Sequence, residues 1–80
     1  MKGEALEKIC QLSGCTIDEC LAIGDNGNDL DMLKVAGISA CPSNAVDYIK
    51  EVVDYISPVH CKDGAVGEII EHFVFNDSIK

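Results

Sequence analysis

An α/β domain organised on a parallel sheet is expected from this chain, and three features carry the expectation. Two short, continuous apolar runs, Cys20–Ile23 and Ile38–Cys41, alternate with stretches whose apolar residues recur at helical spacing. Gly24 closes the first run and Pro42 the second, so each apolar run ends at a turn signal. A run that is apolar at successive rather than alternate positions is the form of a strand buried on both faces, as parallel strands covered by crossover helices are.

The first helix is expected over residues 3–13, where Ala5, Leu6, Ile9 and Cys10 share a face and Gly14 follows as a stop signal. The strand Cys20–Ile23 comes next, then the polar loop Gly24-Asp25-Asn26-Gly27-Asn28-Asp29. Leu30, Leu33, Val35 and Ala36 continue as a short helix that Gly37 ends, and Ile38–Cys41 forms a second strand, weakened by Ser39. Asn44 is the expected N-cap of a helix running to about Val52, with Ala45, Val46, Ile49 and Val53 on one stripe. A brief third strand is expected at Asp54–Ser57. Asp63 is expected to cap a last helix in which Val66, Ile69, Ile70, Phe73 and Val74 repeat, ahead of a polar, frayed tail at residues 76–80. The order is α-β-α-β-α-β-α, one unit with helical crossovers between its strands. Three strands make a small sheet for this architecture. The first strand is also too apolar for a protected edge, so a further strand is expected to pair with it.

Composition narrows the function. The chain has 80 residues with 48% hydrophobic and 25% charged content, which is a folding composition rather than a disordered one. Fourteen acidic residues against six basic ones give a net charge of −8, which cannot neutralise phosphates along a nucleic acid and disfavours anionic membranes. No apolar run approaches the ~20 residues that a bilayer span needs. The opening residues lack the apolar stretch of a secretory signal, so a cytoplasmic location is the expectation. Five cysteines with no C-x-x-C pair provide neither a disulfide framework nor a zinc-finger spacing. They are expected as buried, reduced thiols, with Cys10, Cys15 and Cys20 on separate elements that need not converge.

The loop between the first strand and the second helix is where chemistry is expected. In an open α/β sheet, ligands bind beyond the carboxyl ends of the strands, and this loop leaves a strand at that end. Asp25 and Asp29 can turn toward one point and offer hard carboxylate oxygens, the donors magnesium takes alongside water and substrate phosphate. Gly24 and Gly27 permit close backbone approach, and Asn28 adds an uncharged donor for a phosphoryl oxygen. The same letters also suit an ordinary polar turn in which Asp29 caps the next helix. An EF-hand is excluded by register: with Gly27 at the sixth position, the first ligand position is Ala22. Asp31 is expected in solvent. His60 and His72 are expected on a surface loop and a helix face rather than as catalytic bases.

Gly24-Asp25-Asn26-Gly27-Asn28-Asp29, followed by Leu30-Asp31-Met32-Leu33 and Val35-Ala36-Gly37-Ile38-Ser39, resembles the fourth motif of the haloacid dehalogenase superfamily phosphatases. The likeness continues through Pro42-Ser43-Asn44-Ala45, Ile49-Lys50, Val53-Asp54-Tyr55-Ile56-Ser57 and Asp63-Gly64-Ala65-Val66 with Glu68-Ile69-Ile70. Lys2-Gly3-Glu4-Ala5-Leu6 resembles the third motif, a lysine ahead of a helix. The resemblance implies a three-layer, Rossmann-like sheet, here as the C-terminal half of the domain over residues 1–80, with about three strands and four helices. It also implies a phosphoaspartyl mechanism with Mg2+ as cofactor. Asp25 and Asp29 would be the metal residues, Asn28 would bind the phosphoryl group, and Lys2 would act in catalysis as a point charge beside it. The first motif, Asp-x-Asp ahead of a Thr or Ser, does not occur in this sequence, and neither does the second. The half that is present is therefore expected to be inactive alone.

Among family members, the likeness is greatest to the small capless phosphatases of 3-deoxy-D-manno-octulosonate 8-phosphate. The expected partners are a small phosphorylated metabolite and either a second copy of the chain or a missing N-terminal half, with no nucleic acid and no membrane. The alternative is a non-catalytic binding module that keeps the loop.

Overall fold

The structure, a computed structural model, describes residues 2–75, with side chains for residues 3–74, so the expectation of a frayed tail lies outside the described residues. Helix α1 spans Lys2–Ser13, strand β1 Leu21–Ile23, α2 Leu30–Val35 and β2 Ile38–Cys41. Helix α3 spans Asp47–Lys50, β3 Tyr55–Ile56 and α4 Ala65–Phe75, with short 3-10 turns at Ile17–Glu19, Gly27–Asp29 and Cys61–Asp63. The strands form one parallel sheet in the order β1-β2-β3, pairing Ala22 with Ser39 and Ala40 with Tyr55.

That register sorts the helices onto two faces. Ala22 and Cys41 share one face and pack with Leu33 of α2, with Ile49 of α3 and with Ala45. Tyr55 points to the other face, where its hydroxyl donates to Glu68 Oε2 of α4 at 2.8 Å and its ring stacks on His72 with centroids 3.9 Å apart. Helices therefore cover both faces, the expected three-layer α/β sheet. Leu33 and Ile49 are completely buried, a transfer worth about 1.5–3 kcal/mol for each side chain. Helix α1 lies alongside α2 and buries Cys10.

Several local expectations need correction. Asn44 does not cap α3: Val46 precedes that helix, and Asn44 Oδ1 instead accepts from the Cys61 amide at 2.8 Å, tying the chain after β2 to the segment before α4. Asp63 lies in a 3-10 turn and Gly64, at a φ of +95°, makes the reversal into α4. Asp31 is half-buried rather than free in solvent. Its Oδ2 accepts from the Gly3 amide at 2.7 Å, satisfying a donor at the start of α1 and fixing that helix end beside α2.

Ser39 is not a weak point of β2 either. It is buried, its amide donates to Asp54 Oδ2 at 2.9 Å, and its Oγ accepts from the Asp54 amide at 3.0 Å. Thus a carboxylate just before β3 completes the pairing that a two-residue strand cannot.

Strand β1 is an edge among the described residues, as its apolar composition made unexpected. Large apolar side chains are also left open elsewhere, including Leu12 at 81% and Val66 at 54% exposure. Among the described residues no helix is long and apolar enough to cross a membrane.

Replacing Asp54 with Ala leaves the buried Ser39 amide without its acceptor, so Asp54→Ala is expected to lower the unfolding free energy by about 1–3 kcal/mol. Urea denaturation followed by far-UV circular dichroism measures this, and an unchanged midpoint would contradict the role given to Asp54.

Candidate active site

The loop at the carboxyl end of β1 is built by hydrogen bonds that leave little freedom to Asp25 and Asp29. The Gly24 amide donates to Ala40 O at 3.2 Å, extending the β1–β2 ladder one residue past the strand. The chain then turns through the 3-10 segment Gly27–Asp29, capped by Asn26, whose Oδ1 accepts from the Asn28 amide at 2.9 Å. Asp29 closes the turn from the other side: its Oδ2 accepts from the Asp25 amide at 3.0 Å and from the Asn26 amide at 3.4 Å. This is a capping box, with Asp in the place usually held by Glu or Gln. Asp29 sits at the boundary of α2, yet its side chain makes no cap bond to that helix.

Two further contacts fix the site. The Asp25 carbonyl accepts from the Val46 amide at 3.2 Å, so the segment leading into α3 holds the backbone of Asp25. Gly24 is required by space, because a Cβ there would overlap the Asp29 side chain, coming within 2.7 Å of its Cγ and 2.8 Å of its Oδ2. Asp29 is 7% exposed, a buried carboxylate whose charge is met by backbone N–H groups. Asp25 is half-buried, with Oδ1 accepting from Asn26 Nδ2 at 3.1 Å.

Both aspartates line one pocket of about 200 Å³, together with Ile23, Gly24, Pro42, Cys61, Ala65 and Val66. Its walls come from the ends of β1 and β2 and from the start of α4, which is where an open α/β sheet presents ligands. Asn28 is exposed on the turn and does not line this pocket. The side chain of Lys2 lies outside the described residues. Its helix start, however, is tied by the Gly3–Asp31 bond to the helix that follows the loop.

Cys61, expected with the other cysteines as a buried thiol, is exposed and is a wall of the pocket. Asn26 had no role assigned to it, and Asn44 was expected as a helix cap rather than as the acceptor of the Cys61 amide. The Asn26 cap had a signal, in that an Asx residue stands three places before Asp29; Asn44 had none, because its partner is 17 residues away. His60 lies in the loop before the last 3-10 turn, where its Nδ1 accepts from the Lys62 amide at 3.0 Å, and His72 lies on α4, stacked on Tyr55. The donor set suits a hard divalent cation, since it offers carboxylate oxygens of which one is held in a cradle that a Cβ at residue 24 would fill.

A family model described as haloacid dehalogenase-like hydrolase matches residues 1–70, most of the chain and all of this site. The chain belongs to the haloacid dehalogenase-like hydrolases.

Its relatives in this family are phosphatases. It is 40% identical over 73 residues to the 5-amino-6-(5-phospho-D-ribitylamino)uracil phosphatase of Bacillus subtilis, which covers 91% of this chain and 29% of that protein. It is 38% identical to a phosphoglycolate phosphatase of Thermoplasma acidophilum, covering 90% of this chain and 32% of the relative. Among solved structures, the cobalt-bound form of the deoxy-D-mannose-octulosonate 8-phosphate phosphatase of Haemophilus influenzae superposes with a TM-score of 0.91 at 26% identity, covering 96% of this chain and 45% of that one. The chain thus spans about a third of the length of the curated relatives it matches. A sheet with an open apolar edge accords with that share.

Gly24→Ala is expected to cost about 1–3 kcal/mol of stability, because the added methyl displaces the Asp29 carboxylate from its cradle. Thermal unfolding beside a Gly67→Ala control, where nothing lies within 4 Å of the added Cβ, measures the difference. Equal losses at the two sites would contradict the packing described for Gly24.

Proposed function

We propose that this chain is the C-terminal portion of a Mg2+-dependent phosphatase that hydrolyses a small phosphate monoester, a sugar phosphate in the first instance, through an aspartyl-phosphate intermediate. The observation that carries this reading is the placing of Asp25 and Asp29 on one pocket at the carboxyl end of β1, in a chain whose family relatives are phosphatases. The named substrates of those relatives are small phosphorylated metabolites.

In this reading Asp25, half-buried and facing the pocket, is the direct ligand of the cation. Asp29 holds the Asp25 and Asn26 amides with one oxygen while its carboxylate completes the anionic wall. When bound, Mg2+ supplies charge neutralisation to the phosphoryl oxygens. Asn28 contacts the phosphoryl group as an uncharged donor, which requires the exposed turn to be covered by substrate or by the rest of the domain. Lys2, at the start of the helix that Asp31 fixes beside the loop, brings an ammonium to the same phosphate as a point charge. The nucleophilic aspartate and the acid-base aspartate come from the portion of the fold that this sequence does not contain, so the chain alone turns nothing over. The open faces around β1, Leu12 and Val66 are where that portion, or a second copy of the chain, packs.

Reconstitution tests this. The purified chain is assayed with an aryl phosphate and Mg2+, alone and mixed with an N-terminal half bearing the Asp-x-Asp motif. The expected result is no turnover by the chain alone, turnover in the mixture, and a loss of about 10²–10³ in rate on Asp25→Asn. Turnover by the chain alone that scales with its concentration and disappears on Asp25→Asn would overturn the assignment of the nucleophile to a missing half.

A further inference from the structure

Cys10, Cys15 and Cys20 are brought together, against the expectation that they need not converge. Cys10 lies in the last turn of α1; Gly14, at a φ of +77°, reverses the chain; and the Cys15 amide donates back to Cys10 O at 3.0 Å. The 3-10 turn Ile17–Glu19 then returns the backbone, with Thr16 donating to Glu19 Oε1 from both its amide and its hydroxyl. These bonds hold the Glu19 carboxyl below the usual carboxylate range. Cys20 follows, immediately before β1. The three Sγ atoms lie within 4.8 Å of one another, with Cys10 and Cys20 at 2.8 Å. Cys10 is buried, while Cys15 and Cys20 are half-buried, so the cluster is held from within and reachable from outside. It sits at the amino end of β1, the opposite end of the strand from Asp25, and is separate from the pocket described above.

A soft cation fits the spacing of three such sulfurs: Zn–S bonds of about 2.3 Å place tetrahedral thiolates about 3.8 Å apart, which lies between the shortest contact and the outer bound of this cluster. A disulfide would use two sulfurs and leave the third in the same contact without a role.

We propose that Cys10, Cys15 and Cys20 form a three-sulfur site for a thiophilic cation of the zinc class, with a fourth position open to water, which clamps the end of α1 to the entry of β1. On binding, each S–H proton passes to solvent as a metal–sulfur bond forms, and no electron is transferred. The site touches neither the pocket nor its aspartates, so it acts on the junction of α1 and β1 and not on the phosphoryl site.

Anaerobic titration of the reduced chain with Co2+, followed by displacement with Zn2+, tests the proposal. The expected result is a thiolate-to-cobalt charge-transfer band with tetrahedral visible bands saturating at one equivalent and bleached by Zn2+. The signal is retained in Asp25→Asn and in Cys61→Ser and is weakened about 100-fold in Cys15→Ser, a turn position whose change leaves the core filled. Alkylation mapped by mass spectrometry gives a second readout, with Zn2+ protecting Cys10, Cys15 and Cys20 and leaving the exposed Cys61 reactive. Absence of the band, affinity unchanged by Cys15→Ser, or air oxidation to a Cys10–Cys20 disulfide at a rate that Zn2+ does not slow would each overturn the proposal.

Discussion

The carboxylate of Asp29 is the constraint on which the loop after β1 depends. It is buried, and its Oδ2 takes the amides of Asp25 and Asn26 into one acceptor. A buried anion of this kind is stabilised while those donors stay aimed at it. The turn can therefore neither open nor shift register without exposing unsatisfied groups, and Gly24 is confined to a residue without a side chain. The same bonds that stabilise the turn set the direction of Asp25. Local stability and the geometry of the proposed cation site are one arrangement.

Around this loop the fold is economical. Parallel pairing with β2 puts Gly24 opposite the end of a central strand. The Asp25 carbonyl is held by the Val46 amide and the Gly3 amide by Asp31, so segments distant in sequence converge on two turns. At the other end of β1, the three cysteines join α1 to the strand. The strand thus carries hard oxygen donors at its carboxyl end and soft sulfur donors at its amino end, and cations of different chemistry would sort between them. The faces that these contacts do not cover carry large apolar residues, as a chain that spans about a third of its relatives' length should show.

What could be read from the sequence follows from the range of the interactions involved. The strands and the loop after β1 were legible because an apolar run bounded by glycine or proline is a local signal, and the aspartates four residues apart lie on one turn. Asn44 misled because an Asx residue ahead of an apolar stripe has the signature of a cap, while the tertiary demand of the Cys61 amide took its side chain. Asp31 was read as solvated because nothing local marks a partner 28 residues upstream. The convergence of the cysteines did have a local signal, in Gly14 as a reversal and in Thr16-x-x-Glu19 as a capping box, though a spacing of five residues does not itself imply contact. Among the described residues β1 is an edge, and its one sign in the sequence is a run too apolar for an edge strand.

The central claim is that Asp25 and Asp29 together hold a hard divalent cation at the end of β1. Paramagnetic broadening by substoichiometric Mn2+ in an amide NMR spectrum tests it most directly, because Mn2+ prefers oxygen donors over thiolates. Broadening centred on the amides of residues 24–29, with weaker effects at the pocket walls near Pro42 and Ala65, is the predicted result. Broadening spread over the acidic surface, or persisting unchanged in the Asp25→Asn chain, would contradict it.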